Sequence, residues 1–227
     1  MHGHACSVLK TCFFPKPLDV NMMLLAYLVL ALALGMLPAS MFSGRGHLFV
    51  DGPQIRARFF LPNPGDNRRF RRRWWKSAAI WVDPVRGVLI GWLVSRALML
   101  ETSELDKETY IAVELGCYAM MLFIVFWQTC GRGREGQTLA PFLLIGGLLA
   151  SGFGLLIGLS ATVLALLALF ATQSVALGFT VMAVTTLASG LLLIGPGLIL
   201  LTATALGLVP LAKSFLMRQP LVVAIRG

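Results

Sequence analysis

Apolar residues in this chain come in long unbroken runs, with the polar residues gathered between them, rather than alternating with a period of two or keeping to one helix face. Runs of this length predict membrane-spanning helices, because a hydrocarbon core about 30 Å thick takes roughly 20 apolar residues as an α-helix. The pattern gives an extension over 1–20, a span over 21–43, a polar loop over 44–76, a span over 77–100 and another over 108–129. An apolar helical run over 139–209 and a basic tail over 210–227 follow. No charged residue occurs between Glu135 and Lys213, a stretch of 77 residues. Three helices of about 20–24 residues fill that run at bilayer length, whereas two would each be overlong. The expected fold is therefore all-α: a polytopic integral membrane helix bundle of six spans, with five as the alternative.

Composition agrees with that pattern. The chain has 227 residues, is 57% hydrophobic and 13% charged, and has a mean hydropathy of +0.81; soluble domains carry about 25% charged residues. The first run is long for a signal-peptide core, and no A-x-A-type site follows it, so it is read as an uncleaved span. A start at Met22 or Met23 is the alternative, which would remove residues 1–21.

Charge sets the expected orientation. The 44–76 loop holds nine basic residues against Asp51 and Asp66, a net of +7 out of the chain's +9. Segment 101–108 is net negative, while the next loop is basic through Arg132 and Arg134. Basic loops stay cytoplasmic, which places the 44–76 loop inside a bacterial-type inner membrane. The tail carries Lys213, Arg218 and Arg226 without an acid, which argues for an even number of spans in the last run and against three. Gln173, between Thr172 and Ser174, lies near the middle of that run and is placed to cap a long hairpin.

Span 2 is interrupted by Asp83, Arg86 and Arg96, and Asp83-Pro84 reads as an N-cap and first-turn pair that shortens it to about 17 residues. Gly87, Gly91 and Ser95 form a row of small residues on one face, suited to close helix packing, and Ala150, Gly154 and Gly158 form a second. Gly195-Pro196-Gly197 is expected to bend the last span.

Candidate chemistry is sparse. Arg68, Arg69, Arg71, Arg72, Arg73, Trp74, Trp75 and Lys76 join cations and indoles where the chain re-enters the membrane, a combination that suits anionic lipid headgroups and also serves as a bare topology device. No nucleic-acid-binding domain surrounds it. Within the same loop, His47–Val50, Asp51-Gly52 and residues 54–60 read as a small β-hairpin. Glu114 is the acid well inside a span, so it is a candidate intramembrane polar site, with Arg96 or Gln173 as partner. Gly131, Gly133 and Gly136 fit G-x-G-x-x-G but lack the βαβ setting that gives the pattern meaning. His2, His4, Cys6 and Cys12 match no standard zinc spacing. No catalytic set, metal site or cofactor is expected.

Three readings follow. The first is a non-catalytic subunit or assembly scaffold of a larger membrane complex, with other membrane subunits and anionic lipids as partners and no nucleic acid. A small transporter or channel using Glu114 is the second. A lipid-handling enzyme using His47 with Asp51 or Asp66 is the third.

Overall fold

A computed structural model describes residues 17–37, 47–50, 78–101, 107–130 and 138–226. Seven helices and three short strands occupy them: α1 (Pro17–Met36), β1 (His47–Val50), α2 (Ala78–Glu101), α3 (Lys107–Thr129), β2 (Thr138–Leu139), α4 (Phe142–Gly152), α5 (Leu155–Thr172), α6 (Val175–Leu193), α7 (Leu198–Met217) and β3 (Leu221–Arg226). Among the described residues, four segments are long and apolar enough to cross a membrane: Tyr110–Thr129, Leu155–Thr172, Val175–Leu193 and Leu198–Met217. Together they fit an integral membrane protein.

The long apolar run departs from expectation. It divides into four helices, α4 to α7, not two or three spans. Three local breaks cause this. Gly154, at φ 119°, separates α4 from α5 in a conformation that β-carbon sterics deny to most residues. Gln173 sits in the left-handed region at φ 58° and ends α5, and the Ser174 hydroxyl then caps α6 by accepting from the Leu177 N–H at 3.3 Å. Gly195, at φ 88°, turns α6 into α7. The Gly195-Pro196-Gly197 segment is thus a turn between two helices and not a bend within one. Ala150, Gly154 and Gly158 are likewise not one helix face. The break puts Ala150 on α4 and Gly158 on α5, where the two pack backbone to backbone.

Two further boundaries differ from the sequence reading. Helix α1 runs from Pro17 to Met36, not over 21–43, and its end falls just before the residue preceding Pro38, a position disfavoured for helix. Helix α2 keeps all 24 residues and carries Pro84 in its interior instead of starting there. The bundle tolerates the lost backbone donor because this turn is gripped by a neighbour: the Pro84 carbonyl lies against Gly147 of α4.

Helices α2 and α4 make the closest contact in the molecule and run parallel. Gly87 meets the backbone of Leu144 and Leu148, and Gly91, one turn on, meets Leu148, Ser151 and Gly152. Ser151 donates to the Gly147 carbonyl at 2.9 Å, and Ser95 donates to the Ser151 carbonyl at 3.3 Å. Absent side chains at Gly87, Gly91 and Gly147 let two backbones approach as no larger residue would allow. The later helices form antiparallel hairpins, with Gly146 against Thr162, Gly178 against Ala165 and Gly207 against Ala183. Ile90, Met121, Ile124, Leu144, Leu148, Phe179 and Met182 fill the interior, while Leu25, Leu156, Leu167, Leu192 and Leu201 point outwards.

The strands form one sheet in the order β1-β3-β2. His47–Val50 does not pair with 54–60, which lies outside the described residues. It pairs antiparallel with β3, Leu48 opposite Ile225 and Val50 opposite Val223. On the other edge β2 pairs parallel with β3, Thr138 opposite Leu221. Val222, Val223 and Ile225 are β-branched and favour a pleated strand, so the expected basic tail contains a central strand.

Packing against backbone makes Gly87 sensitive. Gly87→Ala drives its β-carbon into the Leu144 carbonyl and is expected to cost about 1–3 kcal/mol. Gly116→Ala, which meets open space, is expected to be neutral or mildly stabilising. Unfolding of both variants in mixed micelles checks the contrast.

Candidate functional site

The densest polar cluster lies where α1 ends. An α-helix leaves its last four carbonyls without intrahelical donors, and in an apolar surrounding no water substitutes for them. Arg86 of α2 supplies the donors here. Its Nη2 donates to the Leu34 carbonyl at 2.8 Å, to that of Leu37 at 2.6 Å and to that of Gly35 at 3.5 Å, while Nε reaches Leu34 at 3.3 Å. The side-chain amide of Gln128, from α3, donates to the same Gly35 carbonyl and to Leu37 at 3.1 Å. Only 4% of Arg86 is exposed, and Asp83, one turn earlier, accepts from its Nη1 at 3.4 Å. A buried guanidinium is thus balanced by one carboxylate and by the negative end of a helix dipole.

A second anchor repeats the chemistry. Lys213 of α7 donates to the Thr129 carbonyl at the end of α3, at 2.7 Å, and stands 5.8 Å from the Phe126 ring centroid. Thr129 itself is buried. The ends of α1, α3 and α7 and the start of α2 therefore converge at one end of the bundle, where the sheet also lies.

The candidate polar site of the sequence does not assemble. Glu114 is half-buried on α3 and accepts a hydrogen bond from Tyr118 at 3.0 Å. Arg96 is exposed and stacks over Trp92, 5.4 Å from its ring centroid. Gln173 is the α5–α6 turn. No hydrogen bond or ion pair joins the three. Gly87, Gly91 and Ser95 face α4, as described above, and the run Arg68 to Lys76 lies outside the described residues, as do Asp51, Asp66, the glycines at 131, 133 and 136, and the N-terminal His and Cys residues. Among the described residues no group of three metal-ligating side chains exists; Cys117 is buried and Cys130 exposed, both as free thiols.

Arg86 and Gln128 are the residues that sequence reasoning missed. Arg86 registered only as an interruption of an apolar span. Its i, i+3 spacing from Asp83 was the available signal, but its main partners are backbone carbonyls some 50 positions away, which no side-chain pattern encodes.

No protein-family model, curated protein or solved structure matches this chain.

Arg86→Met leaves the carbonyls at the end of α1 short of donors and is expected to cost about 1–3 kcal/mol for each one stranded. Arg86→Lys, which lacks the planar fork, recovers part of the loss. Arg96→Met, on an exposed side chain, is expected to change little. Thermal stability in mild detergent separates the three.

Proposed function

We propose that this chain is a non-catalytic integral membrane subunit or assembly scaffold of a larger membrane complex. One observation carries the reading: the strongest polar donors in the bundle, Arg86, Gln128 and Lys213, are engaged with the backbone ends of neighbouring helices. Polar groups used in this way hold helices in register and leave little for a reacting substrate. Close backbone packing between α2 and α4 supports the same reading, since rigidity is what a scaffold requires.

Orientation follows from charge and from the sheet. The basic 44–76 loop and the tail with Lys213, Arg218 and Arg226 belong to segments that β1 and β3 join, which supports one shared face. Six crossings, with three in the last run, would set β2 and β3 on opposite faces. Their pairing supports four crossings there, by α4 to α7, and seven in all. By the charge rule this face is cytoplasmic, in a bacterial-type inner membrane. Trp81 and Trp127 are exposed near the same end, at the depth where indoles settle between headgroups and hydrocarbon, and Arg68 to Lys76 would meet anionic lipid there.

A second reading rests on Glu114. A carboxylate in a span, hydrogen-bonded to Tyr118, is a place where a transported proton or cation could bind.

Extraction in a mild detergent followed by sizing and mass spectrometry tests the choice. The scaffold reading expects stoichiometric partner subunits, and expects Glu114→Gln to leave the yield of that assembly unchanged. A lone particle whose ion flux in proteoliposomes is abolished by Glu114→Gln would replace it with the transporter.

A further inference from the structure

Helix α4 is too short to cross a bilayer. Its 11 residues rise about 16 Å, roughly half of a 30 Å hydrocarbon core. Yet α5, its antiparallel partner across the Gly154 turn, has 18 apolar residues and bilayer length. The rest of the α4 crossing falls to the extended residues 138–141, which add about 13 Å at 3.3 Å each. Extended backbone at that depth exposes N–H and C=O groups that hydrocarbon cannot satisfy, so it persists only where protein supplies partners.

Those partners come from the strand after α7. The Thr138 N–H donates to the Pro220 carbonyl at 3.1 Å and the Ala140 N–H to that of Val222 at 2.9 Å. Thr138 Oγ1 donates to Gln219 Oε1 at 3.2 Å, while Gln219 is itself held to α7, its carbonyl accepting from the Ser214 hydroxyl at 2.5 Å. Thr138, Ala140, Leu221 and Val222 are all buried, Val222 completely. Arg218, in the left-handed region at φ 52°, makes the turn that sends the chain back into this position.

We propose that β3 is a strap that completes the α4 crossing: it inserts between β1 and β2, seals the extended half of that crossing from water and lipid, and thereby holds the α4–α5 hairpin in the bundle. The proposal rests on the crossing arrangement above and is independent of whether partner subunits exist.

Cysteine accessibility in membranes tests it. In a chain whose native cysteines are replaced by serine, Ala140→Cys is expected to resist a membrane-impermeant maleimide added from the basic face. In the same variant shortened to end at Gln219, labelling is expected to rise by an order of magnitude or more, and a synthetic peptide of residues 219–227 is expected to reduce it again. Val222→Pro in the whole chain gives the same exposure without removing residues, so loss of the shortened chain to degradation does not remove the test. Leu48→Cys with Ile225→Cys, opposite each other in the β1–β3 register, is expected to form a disulfide on mild oxidation. Unchanged protection of position 140 in both the shortened and the Val222→Pro chains would overturn the strap. So would labelling of positions 48 and 225 from opposite faces, which would also remove the crossing arrangement on which it rests.

Discussion

A carbonyl at the end of a helix must find a donor, and in hydrocarbon it must find one within the protein. This requirement shapes the whole bundle. At the end of α1 the donors are Arg86 and Gln128, so α2 and α3 are fixed relative to α1 at that level. At the end of α3 the donor is Lys213, so α7 is drawn to the same level. The helix ends are linked in a chain, each cation meeting the negative pole of a neighbour's dipole, and the sheet forms where those ends meet.

Removal of side chains does the complementary work farther from that end. Gly87, Gly91 and Gly147 bring α2 and α4 to backbone contact, and Gly158 does the same for α5 against Ala150. Lipid tails are as apolar as leucine, so helices in a membrane gain little from hiding leucine and much from shape. The leucines accordingly lie outward in numbers, and the contact faces belong to glycine, serine and alanine.

Membrane character and the third span were legible in the sequence, because run length and charge are nearly one-dimensional properties. The small row Gly87, Gly91 and Ser95 was legible as a packing face, though its partner was not. What failed was counting within the apolar run. Bilayer length alone divides 77 uncharged residues into three, whereas Gly154, Gln173 and Gly195 divide them into four through backbone conformations that composition does not express. The tail charges, which argued for an even number, carried information that length did not. Strand pairing was hidden for a different reason. His47–Val50 had a plausible partner six residues away, and its actual partner lies more than 170 residues on; local turn chemistry speaks only for the near one. The Glu114 proposal failed as a constellation because a sequence offers Arg96 and Gln173 as candidates without saying that one stacks on Trp92 and the other makes a turn.

The parallel contact between α2 and α4 bears on how such a protein is made. Helix α2, with Asp83, Arg86 and Arg96 along it, is a poor candidate for insertion by itself, since an arginine near the centre of a span costs about 2.5–3.5 kcal/mol on translocon scales. Its most intimate neighbour emerges from the ribosome only after α3 has been threaded in between. Biogenesis must therefore tolerate an interval in which α2 is held by α1, through Arg86, while its glycine face waits for α4. The order of synthesis makes α1 the first partner of the arginine and α4 the first partner of the glycines, so one helix reaches its final place in two stages, first by charge and then by shape.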